Sequence, residues 1–175
     1  MIEYKQANTD SELLQILDLQ QRNLPKNLSK EEMEVQGFLT IEHDFALLKR
    51  MNEACPHTIA VENNNVVGYA LSMHPKFGEE IELLKSMFAK INEVFSGGSY
   101  LVMGQVCISK DYRGKGLFRG LYQNMQRFTK ADFEAIITEV DVKNTRSMHA
   151  HKAIGFNELA RYSSDDREWS LVLLE

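Results

Sequence analysis

The segment from Tyr100 to Phe156 limits what this chain can fold into more than any other. The run Tyr100 to Ile108 is strand-like, the loop Asp111-Tyr112-Arg113-Gly114-Lys115-Gly116 follows it, and a helical pattern opens at Leu117. A strand that ends in a Gly-rich basic loop and enters a helix aims several free backbone N–H groups, and the positive helix end, at one point. Such a point suits a phosphate or pyrophosphate. Gly114 and Gly116 let a phosphate approach the main chain and allow φ > 0, where a Cβ would obstruct both. Arg113 and Lys115 add charge for the outer oxygens. Taken alone, the loop also reads as a surface turn with two incidental cations. Neither G-x-x-x-x-G-K-S/T nor G-x-G-x-x-G is present.

A second pattern follows: Asn144-x-x-Ser147-x-x-x-His151-x-x-x-Gly155-Phe156. Together the two resemble the GNAT superfamily of acyl-CoA-dependent N-acyltransferases. Its phosphate loop reads Q/R-x-x-G-x-G/A and its later helix N-x-x-A/S-x-x-x-Y/H-x-x-x-G-F. The loop pattern falls on Arg113, Gly116 and Phe118. Phe118 departs from the family's Gly or Ala, so its side chain either covers the last loop N–H or turns away.

The resemblance implies an α/β (α+β) fold: a central mixed, mostly antiparallel sheet of about seven strands, splayed between the fourth and fifth and flanked by helices. It implies an N-acetyltransferase moving an acetyl group from acetyl-CoA (coenzyme A) to a primary amine of a small molecule or peptide, by direct attack and with no metal. Val106, Cys107 and Ile108 would run along the pantetheine arm and thioester. Arg113, Gly114, Lys115, Gly116, Leu117 and Phe118 would hold the pyrophosphate. Asn144 and Ser147 would contact the arm; helix N-cap is the other role for Asn144.

Direct attack needs a neutral amine, a polarised carbonyl and a proton for the departing thiolate. His151 occupies the place where many family members keep a Tyr that protonates sulfur, with Tyr162 and Tyr112 as rival donors; a His on the solvent edge of its helix is the plainer reading. Glu139 is the expected base, since Gln105 is not basic, although a charged residue near a strand end is often only solvated. His43 and Asp44 lie in a segment that borders the acceptor pocket in this family, and read equally well as helix-start residues. The alternative to an enzyme is a non-catalytic acyl-CoA-binding regulatory domain.

The 175 residues suit a single domain, 1–175, with one core. No apolar run approaches the ~18 to 20 residues of a membrane span, and Met1-Ile2-Glu3-Tyr4-Lys5 lacks a signal-peptide pattern. A cytoplasmic protein with no membrane partner is expected. Cys55 and Cys107 are too few for a disulfide framework or zinc site. A net charge of -5 argues against nucleic acid and leans toward a cationic or neutral acceptor.

Along the chain, Ile2 to Gln6 reads as a first strand, Thr9-x-x-Glu12 and Ser29-x-x-Glu32 as capping boxes opening helices, and Gly37 as the second helix's end. Thr40 to Met51 reads as helical, and Thr58 to Met73 as a hairpin turning at Asn63-Asn64-Asn65. From Glu79 to Phe95, apolar residues at helical spacing predict an extra helix inserted between the third and fourth strands. It is expected to line the acceptor side, and its apolar side suggests a homodimer contact. Leu117, Leu121, Met125 and Phe128 mark a helix's inner stripe; Ala135 to Val140, Phe156 to Tyr162 and Trp169 to Leu174 read as strands around a helix from Thr145 to Ile154.

Overall fold

The structure, a computed structural model, describes residues 1–36, 39 and 41–175. Among these, seven strands form one sheet in the order β1-β2-β3-β4-β5-β7-β6. They are β1 (Glu3–Gln6), β2 (Thr58–Glu62), β3 (Asn65–Met73), β4 (Tyr100–Ile108), β5 (Ala135–Asp141), β6 (Asn157–Ser164) and β7 (Arg167–Leu174). Pairs β1/β2, β2/β3, β5/β7 and β6/β7 are antiparallel, and β4/β5 is parallel. The chain gathers into two compact units, residues 1–73 with 104–128 and residues 74–103 with 129–175, so β4 contributes to both.

In the first unit, α1 (Asp10–Gln21) starts at the expected box: Glu12 N–H donates to Thr9 Oγ1 at 3.2 Å and Thr9 N–H to Glu12 Oε2 at 3.1 Å. The box at Ser29 and Glu32 likewise opens α2 (Lys30–Gln36). The expected stop at Gly37 and start at Thr40 lie outside the described residues. The next helix, α3 (Phe45–Ala54), begins later than its pattern suggested, with Asp44 as N-cap. The reason is tertiary. The Ile41 carbonyl accepts from Gln105 Nε2 and the His43 N–H donates to Gln20 Oε1, so backbone groups a helix would use are bonded elsewhere.

The hairpin turns through Asn63 (φ 50) and Asn64 (φ 63), the left-handed pair such a turn requires. On α5 (Leu117–Thr129), Leu117, Leu121 and Met125 are buried as expected, joined by Tyr122, while Phe128 is only half-buried. Gly120 is a close approach: a Cβ there would lie 2.1 Å from Tyr4 Oη on β1.

In the second unit the insertion departs from the single helix expected over residues 79–95. Two 3₁₀ turns, Pro75–Phe77 and Glu82–Leu84, precede a shorter α4 (Lys85–Val94). Ile81 buries its side chain from an extended backbone (φ -104, ψ 100), which keeps residues 79–81 out of the helix. Met87, Phe88 and Ile91 are buried, a Cβ on Gly78 would lie 2.8 Å from the Phe88 ring, and Ser164 Oγ on β6 bonds Ser86 Oγ at 3.0 Å. Of the apolar stripe that suggested a dimer, Leu84, Met87, Phe88 and Ile91 are buried, while Val94 and Phe95 are half-buried. Beyond the three-position parallel ladder of β4 with β5, Thr138 Oγ1 donates to the Met103 carbonyl at 2.9 Å, a side chain where ladder bonding would use an amide.

Candidate active site

The loop after β4 has the backbone its sequence called for. Gly114 (φ 72) and Gly116 (φ 82) are both left-handed, and a Cβ on either would meet nothing within 4 Å. Their requirement is therefore conformational, not crowding by the protein. Leu117 is buried and starts α5, while the Phe118 ring lies edge-on to Tyr122, with centroids 5.1 Å apart, along the helix. Val106 and Ile108 are half-buried at the end of β4, and Cys107 is buried with its thiol pushed up to about 12 by desolvation, so it stays protonated.

The loop cations behave differently from each other. Lys115 is exposed, with Nζ 5.3 Å from the Tyr112 ring centre, and Tyr112 Oη donates to Glu62 at 2.8 Å. Arg113 folds back: Nε donates to the Ile108 carbonyl at 3.0 Å and a terminal nitrogen to Asn23 Oδ1 at 2.7 Å. Asn23 is buried at the end of α1, beside a cavity of about 430 Å³ that Arg22, Asn27, Ser109 and Lys110 also line.

In the second unit, Asn144 caps α6 (Thr145–Ala153), accepting from Ser147 N–H at 3.1 Å. His151, one turn beyond Ser147, is 3 % exposed, with its ring edge-on to Phe156 at 5.1 Å. The solvent-edge reading therefore fails. Its Nδ1 lies 2.8 Å from the Ser147 carbonyl, which can only accept, so Nδ1 carries the proton. Burial lowers its pKa to about 4, so the ring is neutral at pH 7.

Glu139 and Tyr162 meet across β5 and β6: Tyr162 Oη donates to Glu139 Oε2. Desolvation, with Asp165 adding repulsion, raises the Glu139 pKa to about 8. A carboxyl so placed holds a proton at pH 7 and is a far better base than a free glutamate once it loses it.

The acetyltransferase (GNAT) family model matches residues 13–156, which includes both the loop and the Asn144-to-Phe156 pattern. The chain belongs to the GNAT acetyltransferase family. Solved structures agree on the fold. Arabidopsis thaliana NAA60 in complex with acetyl-CoA superposes with a TM-score of 0.70 at 13% identity, covering 99% of each chain. The Escherichia coli ribosomal-protein alanine N-acetyltransferase gives 0.64 at 14%, covering 99% of this chain and 93% of that one. Salmonella typhimurium yncA with acetyl-CoA gives 0.66 at 14%, covering 100% and 94%. Comparison with curated proteins gave no significant match.

One feature of this GNAT chain escaped sequence reasoning, a buried polar network in the first unit. Gln20 Nε2 reaches His43 Nδ1 and Gln105 Oε1, both at 2.9 Å. Tyr69 Oη donates to Gln105 Oε1 at 2.7 Å and also meets the Cys107 thiol. Gln20, His43, Tyr69 and Gln105 are all buried. The available signal was Gln20 itself, which follows Leu13 and Ile16 on the buried side of α1, where an apolar residue is the norm.

Proposed function

We propose that this acetyltransferase moves the acetyl group of acetyl-CoA to a primary amine of a small molecule or peptide by direct attack. The observation that carries the reading is Glu139, a carboxyl with its pKa raised to about 8 and hydrogen-bonded by Tyr162. That value suits taking a proton from the nitrogen of a neutral amine as it attacks the thioester. The C–N bond forms, the C–S bond breaks, the amine's proton passes to Glu139, and the thiolate takes a proton in turn.

In this reading the left-handed loop from Arg113 to Phe118 holds the pyrophosphate, Lys115 supplies exposed charge, and the backbone of Val106, Cys107 and Ile108 takes the pantetheine arm. Asn144 and Ser147 contact that arm in addition to their part in starting α6. Arg113 reaches a phosphate by exchanging its bond to Asn23. His151 is neutral and its Nδ1–H donates a hydrogen bond to the Ser147 carbonyl, so we assign the proton for sulfur to Tyr162 and to His151 the seating of α6.

Among the described residues no helix is long and apolar enough to cross a membrane. The two free, buried cysteines fit the reducing cytoplasm we assign to the enzyme. The test has two parts: calorimetric titration with acetyl-CoA, and thiol release across polyamines, aminoglycosides, amino acids and peptides. Binding without amine-dependent thiol release leaves the acyl-CoA-binding regulatory domain, and no binding removes both readings.

A further inference from the structure

Arg113, which opens the phosphate pattern of the loop, is half-buried and held, whereas Lys115 is exposed. Its Nε donates to the carbonyl of Ile108, the last residue of β4, at 3.0 Å, and a terminal nitrogen donates to Asn23 Oδ1 at 2.7 Å. Asn23 Nδ2 in turn donates to the Leu19 carbonyl at 2.8 Å. A guanidinium only donates and a carbonyl only accepts, so both neighbours require the same orientation of the Asn23 amide. The residue is 5 % exposed, its N–H donates to the Gln20 carbonyl at 2.9 Å, and its carbonyl accepts from the Leu39 N–H at 3.2 Å. None of these last bonds involves the loop, so Asn23 keeps its place when Arg113 leaves it. Asn23 also lines the cavity of about 430 Å³, together with the polar side chains of Asn27, Ser109 and Lys110. A space that polar and that roomy admits water, which can take the place of the guanidinium on Oδ1. The whole arrangement lies within the first unit.

We infer that Asn23 is a latch on the acyl-donor loop: it holds the Arg113 guanidinium back, and a phosphate oxygen of the donor takes that guanidinium only in exchange for Asn23. The inference rests on the reading of the loop as the pyrophosphate site, and goes beyond it by giving a residue of the α1 end control over donor affinity. A hydrogen bond to a charged group corresponds to a factor of about ten or more in an equilibrium constant. The held form is therefore the major one, and it weakens the apparent affinity for the donor by the same factor. Asn23 acts through Arg113, which makes it a positioning residue. The sign of its effect is distinctive: removing a residue that merely supports the fold lowers affinity, whereas removing a latch raises it.

The experiment is calorimetric titration of acetyl-CoA into the full chain as wild type, Asn23→Ala and Asn23→Asp, and into the same three with Arg113→Ala added. Asn23→Ala should bind about tenfold more tightly than the wild type, even though losing the bond to the Leu19 carbonyl lowers its Tm. Asn23→Asp should bind about tenfold more weakly, because a carboxylate holds a guanidinium more strongly than a neutral amide does. With Arg113→Ala both effects should shrink below about twofold, whereas a plain repulsion between the new carboxylate and the donor's phosphates would persist there. Nitrogen NMR of the wild type keeps the test open where a variant fails to fold: the Asn23 side-chain amide and the Arg113 Nε–H resonances should both move on saturation with acetyl-CoA. A wild-type chain that binds no acetyl-CoA refutes the donor site itself. Wild-type binding with Asn23→Ala unchanged or weaker, with effects equal in the two backgrounds, or with Asn23 amide resonances that stay in place, overturns the latch.

Discussion

Replacing Glu139 by Gln tests the chemistry most directly, because the structure gives the effect a size and a pH. With a pKa of about 8, Glu139 is ionised in about one molecule in eleven at pH 7 and about ten in eleven at pH 9. A rate that depends on the ionised form therefore rises about tenfold across that interval. The acceptor amine also titrates there, so the informative quantity is the ratio of wild-type to Glu139→Gln kcat/KM, in which the amine's own ionisation cancels. Initial rates of thiol release from pH 6 to pH 9.5 should give a ratio that climbs with a midpoint near 8 and levels at about 10² or more, the usual size of a general-base contribution. Folding senses the same shift. Between the ordinary carboxyl pKa and about 8 the unfolded chain has released this proton and the native chain keeps it, so Glu139 lowers stability as pH rises and Glu139→Gln gains relative stability in alkali. A ratio flat across the range, or a midpoint near the ordinary glutamate value, would refute the assignment of Glu139 as base.

Tyr162→Phe removes a hydrogen bond that favours the charged carboxylate, so the Glu139 midpoint should move above 8 while kcat falls; an unmoved midpoint would mean the contact is absent in solution. Gly116→Val should weaken acetyl-CoA binding at least tenfold by calorimetry and lower Tm by a few degrees, since a β-branched residue is strained at φ 82 even though its Cβ has open space. His151→Ala should cost about 2 kcal/mol or more in denaturant unfolding and leave kcat of the folded enzyme nearly unchanged; a hundredfold loss of kcat at intact stability would return the acid role to His151. His43, His57 and His151 all have pKa values lowered from 6.5 to about 4 by burial, so stability should hold above pH 6.5 and fall as pH drops toward 4. Each contributes about 2 kcal/mol between pH 7 and pH 5 on that shift, and a flat stability across this range would contradict their burial.

What the sequence determined by itself was whatever depends on neighbours in the chain. Thr9 with Glu12, Asn63 with Asn64, and the strand, loop and helix around Gly114 and Gly116 all form as their local patterns require, because capping, positive φ and a helix start are settled within a few residues. The bounds of β4 were legible for the same reason. Only the tertiary structure decided the rest. Periodicity marked residues 79–95 as helical, but the burial of Ile81 from an extended backbone sets where α4 begins. The segment before α3 lost its first turn to bonds from Gln20 and Gln105, which come from distant parts of the chain. Spacing put His151 on one helix face with Ser147 yet could not say whether that face met water or core, and desolvation is what turns a prospective acid into a neutral ring. The same physics acts in the opposite direction on Glu139, because burial disfavours whichever form is charged: it strips the proton from a histidine and keeps it on a carboxyl, and burial is a property of the assembled fold.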